Sequence, residues 1–162
     1  MSKTIIGIDP GAGGAISFVS EANKLYVHKC HELISGRRIS LSNAVEAFNT
    51  DENIAYIEKV HAMPHDGRSS LFKFGMNYGI WLGLLHSNRK INKIIEVSPQ
   101  KWMKFWQEKL GLKFSKNKTE RKREIKEIAA NYLQGDKKVT LWSADSILIT
   151  MYGMYTEGET NE

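Results

Sequence analysis

Residues 4–16, "TIIGIDPGAGGAI", join an apolar segment to an aspartate and then to a turn that contains three glycines. The β-branched, apolar residues of "TIIGID" predict a central strand that is covered on both faces. The turn has three interpretations: Asp9 binds a metal ion, the glycines hold a phosphate, or the chain makes only a tight turn. The choice depends on which polar residues the rest of the chain brings to the same place.

The size and composition of the chain favour a single domain with one site. The chain has 162 residues, of which 41% are hydrophobic and 25% charged, and no apolar run approaches the roughly 18 residues that a membrane span needs. The start, "MSKTIIGID", has no signal-peptide pattern, so we expect no secretion. Cys30 is the only cysteine. A single cysteine excludes an internal disulfide and a cysteine-based zinc cluster, and we expect Cys30 to be a buried, reduced thiol.

The hydrophobic pattern predicts a mixed sheet with helices on its faces. We predict a strand in "TIIGID", a hairpin from "GGAISFVS" and "KLYVHKCHE", a helix in "SLSNAVEAFN", a strand in "NIAYIEKV", a helix in "LFKFGMNYGIWLGLL", a buried strand in "KIIEVSP", and helices in "QKWMKFWQEKL", "KTERKREIKEIAANYL" and "SADSILITMYGMY". Glycines at 75, 79 and 83 predict that their helix packs closely against a neighbour. This order predicts one α/β domain over residues 1–156, followed by a short acidic tail, 157–162.

Three acidic residues stand at the ends of apolar segments. Asp9 ends the first strand, Glu58 follows "IAYI", and Asp145 precedes "SILI". Each alone has an ordinary explanation, as a turn residue, a solvated strand end or a carboxylate that stabilises a helix N-terminus. Together they favour a shared site, because an unpaired carboxylate that emerges from apolar packing is costly. Carboxylates gathered from distant positions form the oxygen-rich sites that Mg²⁺ prefers.

Positive charge is concentrated in residues 101–126, where ten lysines and arginines stand against three acids. This segment carries +7 while the whole chain carries +5, so the remainder is slightly acidic, at −2. A solvated helix face accounts for many mixed runs of Lys and Glu. A surface that neutralises DNA phosphates is the alternative. The aromatic residues Trp102, Phe105 and Trp106 fit either a DNA face or the core.

Five segments of the chain carry a resemblance to a known family. "IIGIDPGAGGAI", "AYIEKVHAMP" and "SADSILI" contain the three acids, and "SSLFKFGMNYGIWLGLL" and "IIEVSPQKWMKFW" lie between them. In this order they resemble the motifs of the RuvC-type Holliday-junction resolvases of the RNase H-like superfamily, and most closely its shorter, phage-type branch. The resemblance covers nearly the whole chain. It implies an RNase H-like mixed β-sheet flanked by helices.

The resemblance also implies an activity. Asp9, Glu58 and Asp145 take catalytic, metal-binding roles in the two-metal hydrolysis of a phosphodiester bond, with Asp9 as the candidate bridge between the ions. The implied cofactor is Mg²⁺, with Mn²⁺ as the alternative. The implied substrate is branched DNA, in particular a four-way junction, in the cytoplasm of a bacterium or of a phage-infected cell. Two symmetric cuts imply a homodimer, for which the helix over 71–86 is the candidate interface.

With this substrate, the basic segment becomes the expected DNA face. The loop 61–70, beside the second acid, is the best place for side chains that enter the junction centre. The residues predicted to contact nucleic acid are His65, Arg68, Lys73, Lys113, Lys116, Lys118, Arg121 and Lys122.

The chain departs from the family pattern at one position. The family has a fourth acid or a histidine three or four residues before the last aspartate, where this chain has Leu141 and Trp142. Neither side chain binds a metal. Three explanations stay open: water completes a three-carboxylate site, Asp136 or a histidine such as His61 or His65 substitutes, or activity is impaired.

Three other functions compete with junction cleavage. Sugar-kinase and actin-like ATPases also begin with a strand, an aspartate and glycines, but they need two such domains and 162 residues are too few. A nuclease of the same fold could act on RNA–DNA hybrids or single strands, because fold alone does not decide substrate. A junction-binding protein without catalysis is the third alternative, which Trp142 keeps open.

Overall fold

The computed structural model describes residues 3–11, 13–19, 24–30, 34–35, 38–39, 52–59, 67–133 and 138–159. The helix predicted in "SLSNAVEAFN" lies outside these residues, as do His61, His65 and Asp136. The described strands are β1 Lys3–Ile8, β2 Ala15–Val19, β3 Leu25–Lys29, β4 Ile34–Ser35, β5 Arg38–Ile39, β6 Glu52–Glu58 and β7 Ile91–Val97. The described helices are α1 Arg68–Ser87, α2 Pro99–Leu110, α3 Lys118–Ala130 and α4 Ala144–Glu159.

Five strands form a mixed sheet in the order β3-β2-β1-β6-β7. Strands β1, β2 and β3 are antiparallel neighbours, so the predicted hairpin is confirmed. Strand β6 runs parallel to β1, and β7 runs parallel to β6. The short strands β4 and β5 pair separately. The α/β fold class with a mixed sheet is therefore confirmed.

Strand β1 is covered on both faces, as "TIIGID" predicts. Alternate residues of a strand point to opposite faces, and here Ile5 packs with α2, α3 and α4, whereas Ile6 and Ile8 pack with α1. The same alternation divides β6, where Tyr56 joins the first cluster and Ile57 the second. This alternation identifies which residues of β1 and β6 point toward α4.

Helix α4 lies directly against β1, and small residues make this approach possible. A Cβ added at Gly7 would overlap the side chain and backbone of Thr150 and the carbonyl oxygen of Ser146. The hydroxyl of Thr150 bonds to Ser17 on β2, with an Oγ1–Oγ distance of 2.5 Å. A Cβ added at Gly153 would lie 2.7 Å from the side chain of Ile5. These contacts fix the position of the α4 N-terminus above the end of β1.

One packing prediction is wrong, and a second finds no support among the described residues. Strand β7 was expected to be buried, but only Val97 at its end is buried, because β7 is an edge strand of the described sheet. Gly75, Gly79 and Gly83 were expected to lie against a neighbour. A Cβ added at any of them would meet no described atom within 4 Å. The first half of α1 is largely exposed, including the side chains of Phe72, Phe74 and Met76.

Helix α4 extends beyond residue 156, where the predicted domain ended. The carboxylate of Glu157 lies 3.0 Å from the Lys3 ammonium and 3.3 Å from the Lys93 ammonium, and it accepts a hydrogen bond from the Tyr56 hydroxyl. These bonds tie the last turn of α4 to β1, β6 and β7. In the described part of the chain, no helix is long and apolar enough to span a membrane.

Candidate active site

Asp9 and Glu58 leave adjacent parallel strands at the same edge of the sheet. Ile8 is opposite Ile57 in the register of β1 and β6, so the next residues along the two strands, Asp9 and Glu58, are neighbours. Residues two apart on a strand share a face. Asp9 therefore lies on the α4 side with Gly7, and Glu58 lies there with Tyr56. Both carboxylates are half-buried.

The glycine-rich turn holds Asp9 in a defined position. The Asp9 amide donates to the Ala15 carbonyl at 2.9 Å, and the Gly11 amide donates to the Asp9 carboxylate at 3.0 Å. A Cβ added at Gly14 would lie 2.7 Å from the Asp9 carboxyl carbon. Only glycine fits there while Asp9 keeps this position. The thiol of Cys30 packs beneath the turn, 3.5 Å from the Asp9 carbonyl oxygen, and is buried as predicted.

Asp145 reaches the same place from the first turn of α4. The place where Asp9, Glu58 and Asp145 come together is called the acidic recess below. Thr140 and Ser143 exchange hydrogen bonds before the helix, each backbone amide donating to the hydroxyl oxygen of the other residue, at 3.0 and 3.2 Å. Ser146, the next residue after Asp145, lies over Gly7. Because Gly7 and Asp9 share a face of β1, this contact brings Asp145 to Asp9. The three acids predicted to form one site are thus placed at one edge of the sheet.

Burial raises the pKa of all three carboxyl groups, and repulsion by neighbouring acids raises it further for Glu58 and Asp145. Desolvation is the largest cause in each case. Desolvation and the charges of Asp9 and Asp145 raise the pKa of Glu58 to about 9. Desolvation and the charge of Asp9 raise the pKa of Asp145 to about 7. Every pair among the three acids interacts, since Asp9 and Asp145 both act on Glu58 and Asp9 also acts on Asp145. Such an arrangement favours a bound cation, which removes the repulsion.

Two side chains from the basic segment contribute to this recess. Lys122, exposed on α3, lowers the pKa of each of the three carboxyl groups through its charge. Trp102, on α2, is buried. Its indole N–H has no partner at hydrogen-bonding distance and angle among the described residues, but it points close enough to Glu58 to lower the pKa of that carboxyl group. Trp102 and Trp106 are core residues, which decides one question that the sequence left open.

The donor set fits a hard divalent cation. It consists of carboxylate oxygens with raised pKa values, and Mg²⁺ and Mn²⁺ bind such oxygens. Within the described ranges, no three His, Cys, Asp or Glu side chains already stand in the geometry of a bound ion. A cation would thus have to draw the carboxylates of Asp9, Glu58 and Asp145 together. The metal-binding role of these residues remains a prediction.

The predicted nucleic-acid residues fall into two exposed groups, apart from His65, which is not described. Arg68 and Lys73 lie on the exposed first half of α1. Exposed lysines surround the start of α3, namely Lys113, Lys116, Lys118 and Lys122. Arg121 differs from them, because its guanidinium donates to the carbonyl oxygens of Ser115 and Lys116 at 3.1 and 3.3 Å. Arg121 therefore has a structural contact in the loop before α3 in addition to its charge.

Two aromatic side chains lie beside the site, and sequence reasoning identified only one of them. The Phe74 ring lies 3.4 Å from the position of a Cβ added at Gly11, and Trp142 lies 3.8 Å from a Cβ added at Gly13. Both aromatic residues are exposed. The signal for Trp142 was present in the sequence, because it replaces an expected metal ligand. Phe74 gave no such signal, since a phenylalanine in an amphipathic helix predicts core.

Comparison with known proteins gives the fold. No family model matches the chain, and no curated protein sequence matches it. RuvC of T. thermophilus, solved in complex with a Holliday junction substrate, is similar in structure, with a TM-score of 0.53 and 13% identity over 98% of this chain and 97% of that chain. The yeast mitochondrial Holliday junction resolvase Ydc2 has a TM-score of 0.52 and 14% identity, over 91% of this chain and 74% of that chain. The predicted fold, a mixed β-sheet flanked by helices and similar to that of the RuvC-type resolvases, is confirmed, while membership of the RNase H-like superfamily and of its phage-type branch remains a prediction.

Proposed function

We propose that the protein is a metal-dependent endonuclease that cuts phosphodiester bonds in four-way or otherwise branched DNA. One observation carries the proposal: three repelling carboxylates and an exposed lysine share one recess at a sheet edge. The fold supports the substrate class, because the two similar structures are Holliday junction resolvases. Such an enzyme would act on DNA in the cytoplasm, as a single nuclease domain that includes the last turn of α4 beyond residue 156.

The three carboxylates are the residues that would hold Mg²⁺ or Mn²⁺. When two such ions are bound, they supply an activated water and stabilise the leaving 3′-oxygen. Asp9 stays the candidate bridge that the resemblance implies, and its charge acts on both other acids, which lie near it. Glu58 and Asp145 approach it from β6 and α4, so a strand and a helix hold these two groups, while the glycine-rich turn holds Asp9.

Lys122 is suited to hold the phosphate that is cut. Its ammonium acts on all three carboxylates in the metal-free protein, so it lies at the same recess. A phosphate that entered the recess would meet this charge as well as the bound cations. We assign Lys122 the role of orienting the scissile phosphate and balancing its negative charge.

The exposed lysines near the start of α3, with Arg68 and Lys73 on α1, form the proposed DNA face. Each phosphate contact releases condensed counterions, so binding should weaken as salt is added. The two groups belong to different helices, both of which reach the acidic recess: α1 through Phe74, which lies over Gly11, and α3 through Lys122. In a branched substrate, one duplex arm could contact the basic residues of α1 while another contacts the lysines near the start of α3.

Helix α1 is the proposed contact of a homodimer. None of the described residues lies against its glycines at 75, 79 and 83, and Phe72 and Met76 are exposed large apolar side chains nearby on the same helix. Exposed apolar patches of this kind mark interaction sites in soluble proteins. A second copy is the partner that symmetry suggests, because a four-way junction needs two equivalent cuts.

A direct test compares a synthetic four-way junction, a flap and a linear duplex, each with Mg²⁺ and with chelator. The proposal predicts symmetric, Mg²⁺-dependent nicks in the junction and little cutting of the duplex. Asp9→Asn, Glu58→Gln and Asp145→Asn should each abolish cleavage and leave junction binding intact. Equal cutting of duplex and junction would contradict the substrate assignment. Tight junction binding without any cleavage would favour the non-catalytic alternative that Leu141 and Trp142 raised.

A further inference from the structure

Trp142 is an exposed tryptophan at the rim of the acidic recess. The chain has four tryptophans, of which Trp81, Trp102 and Trp106 are at most 1% exposed, whereas Trp142 is 50% exposed. It stands three residues before Asp145, in the turn that leads into α4. Exposing half of so large a ring forgoes much of the free energy that its burial would supply. The position therefore suggests contact with a partner and not packing alone.

One face of the indole ring lies on the glycine-rich turn. The position of a Cβ added at Gly13 is 3.8, 3.9 and 4.0 Å from Cδ2, Cε3 and Cε2 of Trp142. Cδ2 is shared by the two rings of the indole, so its bonded neighbours surround it within the ring plane. Because Gly13 is nearest to this atom, it lies above the face of the ring and not beside its edge. The ring thus rests on the turn that positions Asp9 and is placed beside the acids by two elements, this turn and the start of α4.

The surroundings of Trp142 match a single-stranded nucleotide. Aromatic side chains next to cationic grooves bind unpaired bases by stacking, and stacking tolerates any base because every base has a π-face. Here the cationic surface is supplied by Lys122 and the neighbouring lysines of α3. Phe74, 39% exposed, lies near Gly11 in the same turn. The turn that holds Asp9 is therefore in contact with two exposed rings.

We propose that Trp142 stacks on an unpaired base of the DNA strand whose phosphate enters the acidic recess. This inference rests on the proposed nuclease function and deepens it. Bases are unpaired most easily where duplex arms meet, so stacking on Trp142 would favour a branch point over continuous duplex. The side chain that replaces the expected fourth acid would then serve substrate binding.

Tryptophan emission measures this contact directly. Acrylamide should quench mainly Trp142, because the other three tryptophans are buried. A four-way junction added to the wild-type protein in chelator should quench the emission of Trp142 and protect it from acrylamide, whereas linear duplex of equal length should do so much less. Trp142→Phe removes the exposed emitter and should abolish the response while the buried tryptophans still report a folded protein.

The affinity of three variants separates stacking from simple apolar contact. Removing one stacked base contact should lower junction affinity about 5- to 150-fold, and we expect this for Trp142→Leu. Trp142→Phe keeps a ring and should recover most of the loss. The matched control is Leu141→Ala, at the adjacent residue, which is 42% exposed, and it should change affinity less than about twofold. Unchanged thermal midpoints would show that all variants are folded.

The outcomes distinguish this inference from the proposed function. Stacking is supported if the junction quenches the emission of Trp142 and if affinity falls from the wild type to Trp142→Phe and further to Trp142→Leu. If the wild type cuts junctions but its emission does not respond, or Trp142→Leu binds as tightly as the wild type, stacking is refuted and the nuclease function stands. If the response and the affinity order are present without cleavage, stacking stands and the nuclease assignment is refuted. Absence of junction binding would refute both.

Discussion

Glu58→Gln should stabilise the metal-free protein, although it removes a proposed catalytic group. Glu58 is half-buried beside Asp9 and Asp145, and desolvation together with their charges raises its pKa to about 9. An ordinary glutamate has a pKa of about 4.3. The folded protein therefore holds a proton that the unfolded chain has lost at neutral pH. Glutamine has nearly the same shape, carries no charge and does not titrate.

The size of the effect follows from the two pKa values. Between about pH 4.5 and 9 the folded state binds more protons at this position than the unfolded state, so stability falls as pH rises. The slope is about 1.4 kcal/mol for each pH unit. This contribution is fully present below about pH 4.5 and is lost progressively up to about pH 9. At pH 8, Glu58→Gln should recover at most about 5 kcal/mol, and less to the extent that the buried amide lacks partners. At pH 5 the gain should be below about 1 kcal/mol.

Urea unfolding in chelator from pH 5 to pH 9 measures this difference. The control is Glu127→Gln, at an exposed glutamate of α3, which should change stability by less than about 0.5 kcal/mol at every pH. Added Mg²⁺ should stabilise the wild type at pH 8 more than it stabilises Glu58→Gln, because binding to the folded state adds to stability. A variant that is less stable than the wild type at pH 8, or that shows the same pH slope, would refute the reasoning.

Three further changes have defined outcomes. Gly7→Ala should destabilise the protein by about 3 kcal/mol or more, measured by urea unfolding, because the added Cβ overlaps the backbone of Thr150. Gly79→Leu should leave the chain folded but raise the dimer dissociation constant in analytical ultracentrifugation, because a Cβ at this position meets no described atom and the position lies on the proposed interface; an unchanged constant would exclude that face. Lys116→Ala and Lys118→Ala should each reduce the slope of log affinity for a junction against log salt by about 0.9; a variant that keeps the wild-type slope does not lose a phosphate contact.

The sequence predicted that Asp9 and Glu58 lie at the ends of strands, and the structure places both at the carboxyl ends of β1 and β6. Asp9 and Glu58 both follow apolar runs, and such runs predict strands that end where the acid stands. Their pairing could not be read from the runs, because it depends on the register in which Ile8 lies opposite Ile57. The resemblance to a known family supplied this information. Asp145 likewise needed the close contact between α4 and Gly7, which no local pattern reveals.

The predictions that were wrong or unsupported concern which neighbours a segment has. "KIIEVSP" is apolar enough for a central strand, but β7 has a partner on only one side in the described sheet. The glycines at 75, 79 and 83 form a smooth helix face, yet nothing described in the same chain lies against them. Periodicity gives the character of a face and not the identity of what covers it. A second copy of the chain would reconcile both the pattern and the exposure of α1.

The raised pKa values in the recess affect both the stability of the metal-free protein and the binding of a cation. Burial and repulsion keep a proton on Glu58 near neutral pH, and a cation must displace that proton to bind the carboxylate. Lys122 opposes this by lowering the pKa of all three acids without neutralising any of them through direct pairing in the described structure. Metal affinity should therefore rise between pH 6 and pH 9, and the rise should be steeper after Lys122→Ala. In the proposed function, Lys122 would favour the ionised acids before the substrate arrives and would bind the phosphate afterwards.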